Sequence, residues 1–125
     1  MRETVLDAGP LIAFERAERR ATALVRRIRE RSHRLLVPAP VLAQVWRDGQ
    51  RQARLAHLLG EPSVEVIPFR ETDARAVGRI LRAAGEADVV DGSVVWCALL
   101  NDAAIITTDP SDLRRLSDRV RIEPL

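Results

Sequence analysis

The chain has 125 residues, 46% of them hydrophobic and 30% charged, which is enough for one well-formed core and too little for two. Its net charge is only +2 although the pI is 9.8, because every strongly basic side chain is arginine; such a guanidinium-rich surface serves ordinary ion pairs as readily as phosphate contact. No apolar run approaches the roughly 20 residues of a membrane span, Met1-Arg2-Glu3-Thr4 leads straight into a strand-like segment with no signal peptide, the lone Cys97 excludes an internal disulfide and points to a reducing, cytoplasmic compartment, and four aromatics without tyrosine argue against a base-stacking platform.

Thr4-Val5-Leu6 reads as a first strand, followed by Asp7-Ala8-Gly9-Pro10 and a short helix. Ala17, Ala21, Leu24, Val25 and Ile28 recur at helical spacing and predict a helix from Arg16 to Arg31. Leu35-Leu36-Val37 is a second strand closed by Pro38, and Pro40 opens a helix carrying Val41, Leu42, Val45 and Trp46. Asp48-Gly49 breaks it, and a further helix runs through Leu55, Leu58 and Leu59 to Gly60 and Pro62. Val64 to Ile67 is a third strand. Thr72 caps a helix carrying Ala74, Val77, Ile80, Leu81 and Ala84, with Gly85 as its stop. Val89 to Leu100 is helical in length and apolar almost all round, which predicts a central, buried helix. Ala104 to Thr107 is a β-branched strand of the kind buried on both faces. Asp109-Pro110 starts another helix toward Leu116, and Val120-Arg121-Ile122 closes the chain as an edge strand. The alternation predicts an α/β three-layer sandwich, a mainly parallel central sheet flanked by helices, as one domain over residues 1–125.

Asp7 and Asp109 sit at strand ends, where open α/β sheets build their sites. Asp88 and Asp91 open the apolar helix, and Asp112 follows Asp109 by three. Taken singly, each admits a plainer role. Asp88 suits an N-cap, with Asp91 compensating the helix dipole; Asp112 suits a first turn; Asp7 and Asp109 suit caps and sites equally well. Together they say more. If strands one and four are neighbours, roughly 5 Å apart, Asp7 and Asp109 converge and Asp91 faces the same rim. Gathered carboxylates repel one another, and a hard divalent cation relieves them.

Three runs resemble the PIN domain family: Val5-Leu6-Asp7-Ala8-Gly9-Pro10-Leu11-Ile12-Ala13 its opening, Asp91-Gly92-Ser93-Val94-Val95-Trp96-Cys97-Ala98 its third acidic motif, and Ile105-Ile106-Thr107-Thr108-Asp109-Pro110-Ser111-Asp112-Leu113 its closing motif. The resemblance spans the chain, and the length suits the compact VapC-type toxins of prokaryotic toxin–antitoxin pairs. It implies an endoribonuclease dependent on Mg²⁺ or Mn²⁺, which hydrolyses RNA to a 5′-phosphate and a 3′-hydroxyl. Asp7, Asp91 and Asp109 would be catalytic metal ligands, with Asp88 in or behind that shell and Asp112 flanking it. Thr107 would orient a carboxylate or water. A homodimer and a cognate antitoxin plugging the cleft are also implied.

One position departs from the family. Its second acid, on the helix after strand two, is replaced by Gln44, which keeps a carbonyl oxygen but no charge. The rival expectation is therefore a non-catalytic PIN-like module that binds RNA or protein, its acids acting as caps. Asp48, one turn beyond Gln44, suits a helix end better than the missing acid.

Other phosphate chemistries fit worse. There is no lysine for a receiver domain or a glycine-rich phosphate loop, and no Asp-x-Asp of a haloacid-dehalogenase phosphatase. His33 and His57 lack nucleophile partners and zinc spacing and read as surface or interface residues. Arg16, Arg47 and Arg51, with Arg19, Arg20 and Arg54, are candidates for holding the RNA backbone against an acidic site; a solvated helix face is the alternative for most of them. Phe14, Trp46 and Leu58 are candidates for an antitoxin groove, or for the core.

Gln44→Glu is expected to tighten Mn²⁺ binding, as measured by titration calorimetry of both forms. Equal affinities would remove Gln44 from the site.

Overall fold

The computed structural model describes residues 2–125; Met1 lies outside them. Five parallel strands form one sheet in the order β3-β2-β1-β4-β5: β1 is Glu3–Leu6, β2 Arg34–Pro38, β3 Val64–Ile67, β4 Ala104–Thr107 and β5 Ile122–Pro124. Seven helices join them: α1 (Ala8–Glu15), α2 (Arg19–Glu30), α3 (Ala39–Val45), α4 (Ala53–Leu59), α5 (Glu71–Ala84), α6 (Val89–Asn101) and α7 (Pro110–Arg114). The expected sandwich is observed, and none of these helices is long and apolar enough to cross a membrane.

The winding explains why β1 and β4 are adjacent. From β1 the chain steps to β2 and β3 in one direction, then returns past β1 to β4 and β5. Because parallel crossovers are right-handed, reversing direction puts helices on both sides of the sheet. The central strands are then covered twice: Val5, Leu36 and Ile105 share a register and have no exposed surface. This is why they read as unbroken apolar runs.

Several boundaries differ from the periodicity. The helix expected from Arg16 begins at Arg19: Arg16 ends α1, and Ala17 takes a left-handed conformation (φ 58°) that turns the chain into α2. Alanine carries no side-chain signal for that conformation. Pro38 belongs to β2 and pairs with Ile67, and the next residue already starts α3. The helix expected behind Thr72 starts at Glu71, where the Asp73 carboxylate accepts from the Arg70 amide at 2.9 Å. The last strand falls two residues later than expected; Pro124 is accommodated because β5 is an edge. Gly85 does end α5 in the left-handed region (φ 67°).

Helix α6 is buried along its middle but not all round. Val94 and Val95 are fully enclosed, whereas Val89, Leu99 and Leu100 are exposed at its ends. Its first turn packs hard against α5. A Cβ added at Gly92 would stand 2.6 Å from Cγ1 of Val77, a stiff, β-branched and buried side chain. Gly78, in the middle of α5, has open space around it.

The two glycines should therefore respond oppositely to alanine. Gly78→Ala is expected to stabilise the fold by about 0.5–1 kcal/mol through backbone entropy. Gly92→Ala is expected to destabilise it by about 1–3 kcal/mol through overpacking. Urea denaturation of both variants checks the signs.

Candidate active site

Ligands of open α/β sheets bind where the strand order reverses, outside the C-terminal strand ends. Here that point lies between β1 and β4. Leu6 is in register with Ile106, and the Asp7 amide donates to the Ile106 carbonyl at 3.1 Å. The acids that follow these two strands are thus brought together by the sheet itself.

Thr107 ties them. Its hydroxyl donates to Oδ2 of Asp7 at 2.8 Å and accepts from the Asp109 amide at 2.9 Å. Thr107 is fully enclosed and Asp7 nearly so. Oδ1 of Asp7 accepts from the Ala8 amide at 2.8 Å, so Asp7 is both the cap of α1 and a member of the acid group. Asp109, by contrast, makes no cap with its side chain, so of its two equally weighted roles the cap is not the one taken. Its amide instead turns back onto Thr107, which leaves the carboxylate free.

Gly9 lets the two segments close. A Cβ there would stand 2.1 Å from Oγ1 of Thr108, so the turn after β4 passes directly over the start of α1. A glycine two residues after a strand-end acid was the available signal for this contact, and sequence reasoning did not use it.

Asp88 and Asp91 arrive on the first turn of α6. Oδ1 of Asp88 accepts from the Asp91 amide at 3.0 Å, which is the expected cap. The Ser93 hydroxyl donates to the Val90 carbonyl at 2.6 Å, so it is spent within the same turn. Burial first, and then the charges of Asp88, Asp7, Asp112 and Asp109, push the Asp91 carboxyl from the ordinary 3.8 up to about 7. Burial also raises Asp7, against the lowering effect of its bonds from Ala8 and Thr107; the charges of Asp88 and Asp109 add to the rise. All five acids expected from the sequence therefore share one electrostatic field.

The donor set consists of hard carboxylate oxygens. Among the described residues only Asp112 has an arginine at ion-pair distance, Arg115 at 3.2 Å; Asp7, Asp88, Asp91 and Asp109 have none. A hard divalent cation fits such a set by chemistry. As the side chains stand, no three acidic, imidazole or thiol groups among the described residues are gathered closely enough to grip an ion.

The remaining candidates divide. Gln44 is exposed on α3. Arg47 donates to the carbonyls of Ala43 and Trp46. Arg54 lies over the Phe14 ring at 4.4 Å and donates to the Phe14 carbonyl. Arg51 makes only a long, exposed pair with Asp48 at 3.8 Å, and Arg16 is exposed at the end of α1. Phe14 and Leu58 are buried and Trp46 is 36% exposed. His33 is half-buried and His57 exposed.

Gln52, which sequence reasoning passed over, is buried and organises the α3–α4 turn. Its carbonyl accepts from the amides of Arg47 and Asp48, and its amide donates to Val45.

Residues 4–118 match the sequence profile of the PIN domain. No curated protein sequence is significantly similar to the chain. Solved structures share the fold. VapBC2 from Rickettsia felis, bound to a DNA fragment from its promoter, superposes with a TM-score of 0.77 at 16% identity, covering 98% of each chain. VapBC-1 from nontypeable Haemophilus influenzae gives 0.70 at 19%, covering 98% of this chain and 97% of that one. FitAcB from Neisseria gonorrhoeae gives 0.64 at 18%, covering 95% of each.

A carboxyl that binds its proton more tightly when folded weakens the fold as it ionises. Without added metal, stability should therefore fall as pH rises from about 4 toward and through about 7, the window set by Asp91. Asp91→Asn should be more stable than the parent at pH 8 by about 1 kcal/mol, after allowance for solvent screening of a partly exposed group, and nearly equal to it at pH 4. Thermal melts in EDTA at both pH values check this.

Proposed function

The chain belongs to the PIN domain family, and from that premise we propose that it is a metal-dependent endoribonuclease, the cytoplasmic toxin of a toxin–antitoxin pair, with residues 1–125 as one functional domain. The observation that carries this reading is the group of acids at the β1–β4 switch point, whose charges add to the raised proton affinity of Asp91 and Asp7 and of which four lack a cationic side-chain partner among the described residues. A merely structural set of caps has no reason to accumulate like charge; perturbed carboxyls in one place mark a site instead.

Asp7, Asp91 and Asp109 would hold Mg²⁺ or Mn²⁺, with Asp88 beside them. When bound, such an ion polarises the scissile phosphate and acidifies water. The protein's own contribution is positioning. Thr107 keeps Asp7 oriented through one hydrogen bond and fixes the Asp109 backbone through another. The close contact of Gly9 with Thr108 keeps the two acidic segments in register. Asp91 takes up or releases a proton near neutral pH, so metal affinity falls as the solution is acidified through that range. Asp112, tethered to Arg115, adds negative charge from the side.

Fold-level likeness to VapBC and FitAcB structures favours a cognate antitoxin as partner, and a homodimer is part of the same reading. Gln44, standing in place of an acid, favours the second reading, a non-catalytic module that binds RNA or protein.

One experiment separates the two. Purified protein is incubated with structured RNA and Mn²⁺, with and without EDTA. Cleavage is expected only with free metal, is expected to be abolished by Asp7→Asn or Asp91→Asn, and is expected to fall about 10- to 100-fold in Thr107→Val. RNA binding without cleavage in every form would support the module.

A further inference from the structure

An acidic site repels the polyanion it is proposed to cut, so something else must hold the RNA. The arginines nearest the expectation are committed elsewhere: Arg47 and Arg54 to backbone carbonyls and an aromatic ring. Arg20, one of the expected candidates, is not committed, and neither are Arg27 and Arg31, which were not among them. Arg20 and Arg27 on α2 and Arg31, which caps its C-terminus, follow the spacing i, i+7, i+11 with Leu24 between the first two, and so line up along one side of the helix. At 1.5 Å per residue they span about 10 Å and then about 6 Å along the axis.

That face lines a groove. A hollow of about 690 Å³, whose walls include Arg2, Arg27 and Arg31, meets the sheet at Thr4, Ala104 and Ile106. It shares Leu24, Arg27, Ile106 and Glu123 with a second hollow of about 310 Å³ that includes Arg20 and Leu125. The two form one channel along the β4–β5 side of the sheet. Three of its charges are neutralised locally: Asp102 pairs with Arg121, itself a wall residue, at 2.9 Å, and Glu3 with Arg34 at 3.7 Å. Arg2, Arg20, Arg27 and Arg31 have no acidic partner at ion-pair distance among the described residues, and only Glu123 opposes them in the walls. Leu125, in the wall of the second hollow, links the channel to the site. The Leu125 amide donates to the Thr107 carbonyl at 2.9 Å, and Thr107 holds Asp7 and Asp109.

We propose that the α2–β5 channel is an RNA-backbone exosite, in which Arg20, Arg27 and Arg31 carry a single strand toward the C-terminal rim of the sheet and over it to the acids. Its identity as an RNA site rests on the ribonuclease reading; its preference for a polyanion rests on the charge of its walls. Guanidinium pairs with phosphate and carboxylate alike, but arginines repeated along one wall match a strand that carries a phosphate at every residue, and a basic groove tracking the backbone is the general device for single strands.

The test is fluorescence anisotropy of the full chain with a labelled 20-nucleotide single-stranded RNA, in EDTA so that no cleavage intrudes, over a series of salt concentrations. Arg20→Ala/Arg27→Ala/Arg31→Ala is expected to weaken binding about tenfold or more and to reduce the salt slope by about 2, near 0.7 per lost phosphate contact. Arg26→Ala/Arg79→Ala/Arg82→Ala, equal in charge but outside the channel, is expected to leave the slope unchanged. Circular dichroism melts confirm that both variants fold.

Equal slopes for parent and channel variant, or equal losses in the two variants, would overturn the exosite. So would a labelled glutamate-rich peptide that depends on these arginines while RNA does not, which would assign the channel to an acidic protein segment. Arginine-dependent binding by a protein that cleaves no RNA with Mn²⁺ would support the channel while defeating the nuclease reading.

Discussion

Like charges held close together in a partly dry place are the constraint on which this structure turns. Asp7 is nearly buried and Asp91 half so, and each loses hydration while facing the other acids. Among the described residues no arginine pairs with Asp7 or Asp91, although Arg115 pairs with Asp112 and arginine is abundant elsewhere. The fold answers with hydrogen bonds instead. Asp7 receives an amide and a hydroxyl, and Asp88 receives the Asp91 amide. These bonds stabilise the ionised forms in part, and the remaining charge at Asp91 and Asp109 is what a cation would meet.

Two close approaches lie in the same region. Gly9 and Gly92 each lie next to an acid-bearing segment, and each admits a neighbour where a methyl group would collide. At Gly9 the neighbour is the turn after β4; at Gly92 it is α5. Both contacts fix the approach of one acid to the others, so small residues here set electrostatics through distance. Thr107 does the complementary work from below, one hydroxyl serving two segments that are a hundred residues apart in sequence.

Charge is segregated over the rest of the surface. Of the arginines, Arg47 and Arg54 in the α3–α4 region are drawn into local roles, fastening a turn or covering Phe14. Those on one face of α2 are left facing a channel. A net charge of +2 therefore conceals an acidic rim and a basic trough, and the separation of the two matters more to a polyanion than the total.

Elements with a strong period or a terminal signal were legible from residues alone: the apolar runs of β1, β2 and β4, the stop at Gly85, the cap at Asp88, and Asp7, Asp91 and Asp109 as the acids that matter. Each depends on neighbours in the chain or on side-chain type, which sequence displays directly. The left-handed turn at Ala17 was not legible, because alanine carries no signal for that conformation, and the start of α5 at Glu71 was missed because the cap runs between the Asp73 carboxylate and the Arg70 amide and not through Thr72.

The partners of side chains were also beyond reach of the sequence. Spacing could nominate Arg47, Arg51 and Arg54 for RNA, but only packing shows that two of them are occupied and that Arg20, Arg27 and Arg31 line a common wall. The residues by themselves determined which groups could carry charge and chemistry; the tertiary structure decided which of those charges are spent and which stand open, because pairing depends on separations in space that a linear order does not contain.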